Sequence, residues 1–240
     1  MLITGAASGI GKQIANEYAS REACLALVDK REEGLGVVAE IASMLGSPDV
    51  ITMDHLINNA RILKQGLFED LSHKPDYTRV MDVNLWGTVY GTHYAIPHLK
   101  KSKGKIAVIA SFGGCYPTPG ICFYSASKAA VINFYERLRT EIRDSRGVTI
   151  VTPGLIKSEM TMPRHSPKST ERAAKAMVRS TCHRDMYLTV PFWTSVFYLW
   201  KVLFPEVTER RNCWSYITMP RASRSTRARS RRVALPSIET

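Results

Sequence analysis

Short apolar runs alternate along the chain with stretches whose apolar residues lie three or four apart. Runs typical of strands buried on both faces of a parallel sheet are found at residues 1–4, 24–29, 106–110 and 148–151. Helical spacing characterises residues 10–18, 32–45, 77–99 and 131–142. Strands that alternate with helices predict an α/β fold with a doubly wound, mostly parallel sheet.

One junction breaks this alternation. Residues 49–53 and 54–60 both have strand-like sequences, and no helical pattern separates them. Successive parallel strands need a crossover of about a dozen residues or more. Either residues 49–59 form a single strand, or the crossover between the third and fourth strands is missing. We therefore predict a sheet that lacks this crossover.

The alternation also fades toward the C-terminus. Residues 171–181 predict a small helix, and residues 187–204 are rich in aromatic side chains. The aromatic stretch forms either a strand and a helix that pack on the domain, or a surface that meets a membrane or a flat apolar substrate. Residues 221–240 hold six Arg against one Glu. We expect one domain over residues 1–219, followed by a basic, disordered tail at 220–240.

Charge and cysteine content narrow the classes of partner. The net charge of +12 points to anionic partners, which include a phosphate-bearing cofactor and a membrane surface. The Arg-rich tail has no motif of a nucleic-acid reader, so no specific nucleic acid is expected. The five Cys lack a C-x-x-C spacing, which predicts a reducing environment and no metal site. Neither a signal peptide nor a membrane-spanning helix is expected from the pattern.

A glycine-rich turn joins the first strand to the first helix. Gly5, Gly9 and Gly11 follow Thr4 at the spacing T-G-x-x-x-G-x-G. Glycine lets the backbone turn tightly and approach a pyrophosphate, whose charge is favoured at a helix N-terminus. The alternative is a glycine-rich turn with a purely structural role.

Asp29 ends the second strand, at the distance from Gly11 where an acid binds the ribose of a dinucleotide. An acid here repels a 2′-phosphate and favours NAD, whereas Lys30 and Arg31 would attract that phosphate and favour NADP. The choice between NAD and NADP stays open.

Tyr124 and Lys128 lie four residues apart on a predicted helix, and Ser111 follows the strand before it. Residues at this spacing share one helix face, and a nearby ammonium favours a phenolate over a phenol. The three side chains predict a proton-transfer site for an alcohol or a carbonyl. Taken alone, the Tyr–Lys pair is more typical of a helix surface than of a catalytic site.

Together these motifs resemble the short-chain dehydrogenase/reductase family, whose sheet is Rossmann-like. The resemblance covers roughly residues 1–160 and depends on residues 4–11, Asn58-Asn59-Ala60, Asn84, Ser111, Tyr124, Lys128 and Pro153-Gly154, in the order of the family. The amino-acid sequence of residues 89–101 and 151–160 is similar to that of the plant 11-beta-hydroxysteroid dehydrogenase-like proteins, or steroleosins. That closer likeness extends to about residue 204.

The resemblance implies cofactor contacts on the loops that follow the strands. The pyrophosphate would lie against Gly5, Ser8, Gly9, Ile10 and Gly11. Asp29 would bind the adenosine ribose. The motif beside the nicotinamide ribose would be Asn58, Asn59 and Ala60. The nicotinamide amide would contact the motif of Pro153, Gly154, Ile156 and Ser158.

Catalytic roles are also implied by the resemblance. Tyr124 would be the general acid/base, and Lys128 would hold the nicotinamide ribose. Ser111 would orient the substrate oxygen, and Asn84 would hold a water that continues the proton path. The implied reaction interconverts a secondary alcohol and a ketone of a bulky apolar, steroid-like substrate, with NADP or NAD as cofactor.

The family further implies a homodimer and peripheral contact with a membrane or lipid droplet. The expected location is the lipid droplet or the endoplasmic reticulum membrane. If the family's N-terminal anchor is absent, the expected location is the cytosol.

Several positions depart from the family pattern. Arg61 replaces the glycine that usually follows Asn-Asn-Ala, and this bulky side chain is expected to obstruct the cofactor. The crossover before Asn58 is missing, together with the acid that usually flanks the adenine. The stretch between Met160 and Glu171 is also short. The alternative function is therefore a truncated, catalytically impaired relative that acts as a lipid-droplet or interaction protein.

Overall fold

Six parallel strands form one sheet in a computed structural model that describes residues 1–45, 53–68, 74–142, 147–154, 156 and 167–217. Its strands are β1 Leu2–Thr4, β2 Ala26–Val28, β3 His55–Asn58, β4 Lys105–Ile109, β5 Val148–Pro153 and β6 Tyr187–Val190. Their order across the sheet is β2-β1-β3-β4-β5-β6, and every neighbouring pair is parallel. The predicted α/β class with a parallel sheet is confirmed.

Helices cover both faces of this sheet. They are α1 Gly9–Ala19, α2 Glu32–Met44, α3 Lys74–Met81, α4 Gly87–Ser102, α5 Cys122–Glu141, α6 Pro167–His183, α7 Thr194–Leu203 and α8 Pro205–Ile217. Alternate strand residues point to opposite faces. Ile57 packs with Ile14 of α1 and Met177 of α6, whereas Leu56 packs with Leu99 of α4 and Tyr135 of α5. The predicted doubly wound architecture therefore follows from strands that are apolar on both sides.

The irregular junction leads into one strand of the sheet. β3 lies between β1 and β4, with Leu56 opposite both Leu2 and Ile106. Residues 46–52 lie outside the described residues, as does most of the first strand-like stretch at 49–53. In the part of the chain that is described, α2 is the only element between β2 and β3, and no strand lies beyond β2.

The long helical stretch predicted at 77–99 is divided. A π-helical turn, Asp82–Trp86, separates α3 from α4. Such turns close hydrogen bonds from residue i to i+5 and are frequently found at functional sites. The helix predicted to hold Tyr124 and Lys128 begins at Cys122, and the strand predicted at 148–151 extends to Pro153.

The aromatic C-terminal stretch forms a strand and a helix, but it also exposes apolar side chains. Phe192 is 82% exposed, Trp193 61%, Leu199 60% and Leu203 68%. We call these four residues the apolar C-terminal surface. In the described ranges, no helix is long and apolar enough to cross a membrane. The basic tail lies outside the described residues, so the boundary at 219 stays a prediction.

Candidate functional site

The turn between β1 and α1 has the geometry for which its glycines were predicted. Gly5 and Gly9 have φ angles of +67° and +55°, which L side chains rarely adopt. A Cβ at Gly11 would lie 2.1 Å from the carbonyl oxygen of Gly5. The helix begins at Gly9, where free N–H groups and the helix dipole favour an anion.

Polar contacts fasten this turn to the end of β3. Thr4 Oγ1 accepts hydrogen bonds from the backbone N–H groups of Asn59 and Ala60, both at 3.1 Å. Asn59 Nδ2 donates to the carbonyl oxygens of Thr4 and Gly5, both at 3.0 Å. The structure therefore brings Asn59 and Ala60 directly beside the glycine turn. Thr4 carries these bonds, and its role was not predicted from the sequence.

Asp29 lies beside the same turn, at the end of β2. Its carboxylate accepts hydrogen bonds from Ala7 N at 3.0 Å and from Arg31 N at 3.1 Å. Arg31 Nε pairs with it at 3.3 Å, and the same guanidinium donates to Ser8 Oγ. Burial raises the pKa of Asp29, but the hydrogen bonds from Arg31 and Ala7 outweigh it and hold the pKa below its usual value. An acid and a cation thus share the position where the adenosine ribose is expected.

Tyr124 and Lys128 are both buried, on the first turns of α5. Lys128 Nζ lies 6.0 Å from the centroid of the Tyr124 ring and donates to Ile109 O at 2.8 Å. Burial, with a smaller contribution from Arg61, lowers the pKa of Lys128 to about 7. Among the described residues this ammonium has one acceptor for its three N–H groups, so two remain for a ligand.

Asn84 lies inside the π turn and is fully buried. Its Oδ1 accepts from Ile62 N at 2.8 Å, and its Nδ2 donates to Ile62 O and Ser127 Oγ, both at 3.0 Å. Ser127 Oγ in turn donates to Tyr124 O at 2.7 Å. The Asn84 side chain thus supports the loop after β3 and the start of α5. Its role as a water ligand stays a prediction, and Ser127 was missed because its spacing from Asn84 gives no local signal.

Ser111 follows β4 and is half-buried. Its Oγ accepts a hydrogen bond from Gly113 N at 3.1 Å, which starts a short 3-10 turn, Phe112–Gly114. A Cβ at Gly114 would lie 2.8 Å from the backbone of Lys128, so the Ser111 loop packs directly on α5. Ser111 and the Tyr124–Lys128 pair therefore belong to one packed unit.

The C-terminal helices hold the far end of the Ser111 loop. Lys201 Nζ donates to Cys115 O at 2.5 Å, and Asn212 Nδ2 donates to Pro117 O at 2.7 Å. Arg211 hydrogen-bonds Tyr116 and lies 5.4 Å from the centroid of Phe197. We call these contacts the C-terminal clamp. The sequence did not predict the clamp, because its partners lie about ninety positions apart.

Two of the predicted cofactor-binding residues, Asn58 and Ile10, have buried side chains. The Asn58 amide is buried and donates to Thr92 Oγ1 at 2.8 Å and Tyr135 OH at 2.9 Å, so its side chain braces β3 against α4 and α5. The Ile10 side chain is 2% exposed and belongs to the core, which leaves only its backbone for a cofactor.

The motif after β5 is only partly described. Pro153 ends the strand, and Gly154 N donates to Val190 O at 2.7 Å. Ile156 is buried at 8% exposure. Ser158 lies outside the described residues.

Comparison with known proteins identifies the family. The sequence-family model described as "short chain dehydrogenase" matches residues 1–53 and 47–169. An "11-beta-hydroxysteroid dehydrogenase A" of Sesamum indicum is 40% identical over 253 residues, which cover 87% of this chain and 73% of the relative. An "11-beta-hydroxysteroid dehydrogenase 1A" of Arabidopsis thaliana is 36% identical over 285 residues, which cover 100% and 82%.

Solved structures share the fold. A short chain dehydrogenase/reductase from Burkholderia phymatum in complex with NAD has a TM-score of 0.75 at 19% identity, and covers 86% of this chain and 93% of its own. An alcohol dehydrogenase from Thermococcus sibiricus complexed with 5-hydroxy-NADP has a TM-score of 0.71 at 21% identity, with 79% and 94% covered. The family match, the relatives and the fold agree, and the chain therefore belongs to the short-chain dehydrogenase family of oxidoreductases.

Proposed function

We propose that this protein interconverts a secondary alcohol and a ketone, with NAD or NADP as cofactor. The observation that carries the proposal is the packing of Lys128 beside Tyr124, against the loop of Ser111 and at the carboxyl edge of the sheet that bears the glycine turn. Ligands of open parallel sheets bind at this edge.

The residues present fit a dinucleotide. The cradle between Gly5 and Gly11 leaves no room for a side chain at Gly11, and the N-terminus of α1 favours a pyrophosphate. Ser125 Oγ is buried beside the Ser111 loop without a partner among the described residues. Lys128 has two N–H groups available for ribose hydroxyls. A bound nicotinamide would supply hydride exchange with the carbinol carbon.

The protein's own residues supply the proton transfer and the orientation. Tyr124 exchanges a proton between its phenol oxygen and the substrate oxygen. The Ser111 hydroxyl donates a hydrogen bond to the same substrate oxygen and fixes its position. Lys128, anchored on Ile109 O, holds the ribose next to Tyr124. Asn84 and Ser127 keep the start of α5 in place, so that these groups converge.

Two features support a bulky apolar substrate. The relatives carry the name hydroxysteroid dehydrogenase. In addition, the Ser111 loop bears aromatic rings, because Phe112 and Tyr116 stack with their centroids 5.0 Å apart. We therefore propose a steroid-like alcohol as the substrate class.

This function is tested by incubating the purified protein with NAD or NADP and a panel of hydroxysteroids, and by following the nicotinamide absorbance. Tyr124→Phe should lower the rate by about 10²- to 10⁴-fold, which is the usual contribution of a general acid/base. Tyr198→Phe, at an exposed tyrosine of α7, is the matched control and should keep the rate. Equal rates for the wild type and Tyr124→Phe would refute the proposed mechanism.

Peripheral association with a lipid droplet or the endoplasmic reticulum membrane is proposed from the apolar C-terminal surface, whose four side chains are each more than half exposed. Flotation with lipid droplets should be reduced when Phe192 and Leu203 are replaced by Glu. An unchanged flotation would contradict this surface as the contact.

A homodimer is proposed from the surface that Trp86, at the end of the π turn, forms with Tyr90 and Tyr94 of α4, all three exposed at helical spacing. Sedimentation should show a dimer for the wild type and a monomer for Tyr94→Arg. The competing function, a non-enzymatic interaction protein, would bind lipid droplets or partners without binding cofactor.

A further inference from the structure

Arg61 lies next to the glycine turn. The Cα of Ala60, its neighbour, would lie 2.9 Å from a Cβ at Gly5. Arg61 Nη1 donates to Asn59 Oδ1 at 3.4 Å, and the same Asn59 amide donates to Gly5 O at 3.0 Å. One side-chain amide thus connects the guanidinium to the proposed pyrophosphate cradle.

The Arg61 side chain is held back by this contact. It is half-buried, and its long bond to Asn59 uses one of the five N–H donors of the guanidinium. An Arg side chain at the position of the family's glycine would obstruct the cofactor only if it entered the turn. Its bond to Asn59 instead keeps the head group at the margin of the turn, with donors left over.

The charges around Arg61 also favour the binding of an anion. Arg61 contributes to the lowered pKa of Lys128, so the two cations lie close enough to repel each other. In the described ranges the ion pairs join other residues, and neither Arg61 nor Lys128 pairs with a carboxylate. Asp29 is already engaged by Arg31. Two cations without an acid create a local positive potential that an anionic ligand would neutralise.

We propose that Arg61 clamps the pyrophosphate of the dinucleotide instead of obstructing it. The planar guanidinium matches phosphate oxygens, and the N-terminus of α1 presents N–H groups to the same anion. This inference rests on the proposed function. It identifies in this chain a cofactor ligand at a position where a glycine, with no side chain to donate, would be expected.

Calorimetric titration of NADH and NADPH into the wild type and into Arg61→Gly, Arg61→Gln and Arg61→Lys separates a clamp from an obstruction. Loss of a charge-assisted hydrogen bond should weaken dinucleotide binding by about 10- to 100-fold in Arg61→Gly and Arg61→Gln. Arg61→Lys should retain part of the affinity. The dependence of the Kd on salt should be shallower in the Gly and Gln variants, because one cationic contact is removed.

Ligand fragments locate the contact. ADP-ribose, which carries the pyrophosphate, should lose affinity in Arg61→Gly as the dinucleotides do, whereas adenosine should not. Tighter or unchanged dinucleotide binding by Arg61→Gly would overturn the clamp, as would an equal loss for adenosine, and either result would leave the proposed function standing. Failure of the wild type to bind any dinucleotide would overturn the proposed function itself and the clamp with it.

Discussion

The two sides of the candidate site are supported very differently. The side with Tyr124, Lys128 and Asn84 lies over the middle of the sheet, and all three side chains are buried. The side with Asp29 lies at β2, where Ala26 and Val28 are exposed and no further strand is described. We call them the catalytic side and the adenosine side. The first is fixed by buried hydrogen bonds from several elements, and the second by one carboxylate and one Arg.

This difference separates folding from ligand affinity. On the catalytic side, Asn58, Thr92 and Tyr135 form a buried network, with Thr92 Oγ1 and Tyr135 OH 2.5 Å apart. Buried polar networks are costly when a member is lost. Substitutions there should destabilise the whole domain, whereas substitutions on the adenosine side should change only which ligand binds and how tightly.

Asn84→Ala should have the largest effect, since both backbone groups of Ile62 lose their partner and the Ser127 hydroxyl loses one of its two contacts. We expect a loss of about 3 kcal/mol in the free energy of unfolding, because each buried unsatisfied group costs about 1–3 kcal/mol. Urea unfolding measures it. Asn133→Ala, at an exposed position of α5, is the control and should leave stability nearly unchanged.

Tyr135→Phe should destabilise by about 1–2 kcal/mol, because its hydroxyl bonds Asn58, Thr92 and Thr88 O. Dinucleotide affinity at a temperature where the variant is folded should stay as in the wild type. A variant with normal stability but weakened cofactor binding would remove the distinction between the two sides.

Lys128→Met tests the buried ammonium through pH. An unfolded chain keeps this proton up to the ordinary lysine pKa of 10.5, whereas the folded chain releases it above a pKa of about 7. Between those values the unfolded state binds more protons, so the wild type should gain stability relative to Lys128→Met as the pH rises, by at most about 1.4 kcal/mol per pH unit. Chemical unfolding at pH 7 and pH 9 measures the difference. A difference that does not change with pH would mean that the amine is not titrating in this window.

Arg31→Ala should have the smallest effect on folding, because its pair with Asp29 is partly exposed. Removing this cation should weaken NADPH binding by several-fold while leaving NADH binding nearly unchanged, since only the former carries a 2′-phosphate. Parallel titrations of both dinucleotides give the ratio. If the two affinities fall equally, Arg31 serves the loop rather than the choice of cofactor.

Local chemistry explains what could be predicted from the sequence. The turn at Gly5–Gly11 and the Tyr124–Lys128 pair are contained in short segments, whose spacing determines their geometry. Thr4, Ser127 and the C-terminal clamp act through partners that are distant in sequence, such as Lys201 and Cys115, and no local pattern reveals these contacts. The direction of the Asn58 side chain was also not predicted, because Asn58 belongs to a cofactor motif but is buried between β3, α4 and α5.

The π turn at Asp82–Trp86 makes the site depend on chain length as well as on residue identity. Each of its hydrogen-bonded loops encloses one residue more than an α-helical loop. Deleting one residue there should let α3 and α4 merge into a regular helix. Asn84 would then be turned away from Ile62 and Ser127, although every catalytic side chain is still encoded. A change in length at this turn is therefore expected to cost the reaction and, with it, the stability that the Asn84 contacts to Ile62 and Ser127 supply.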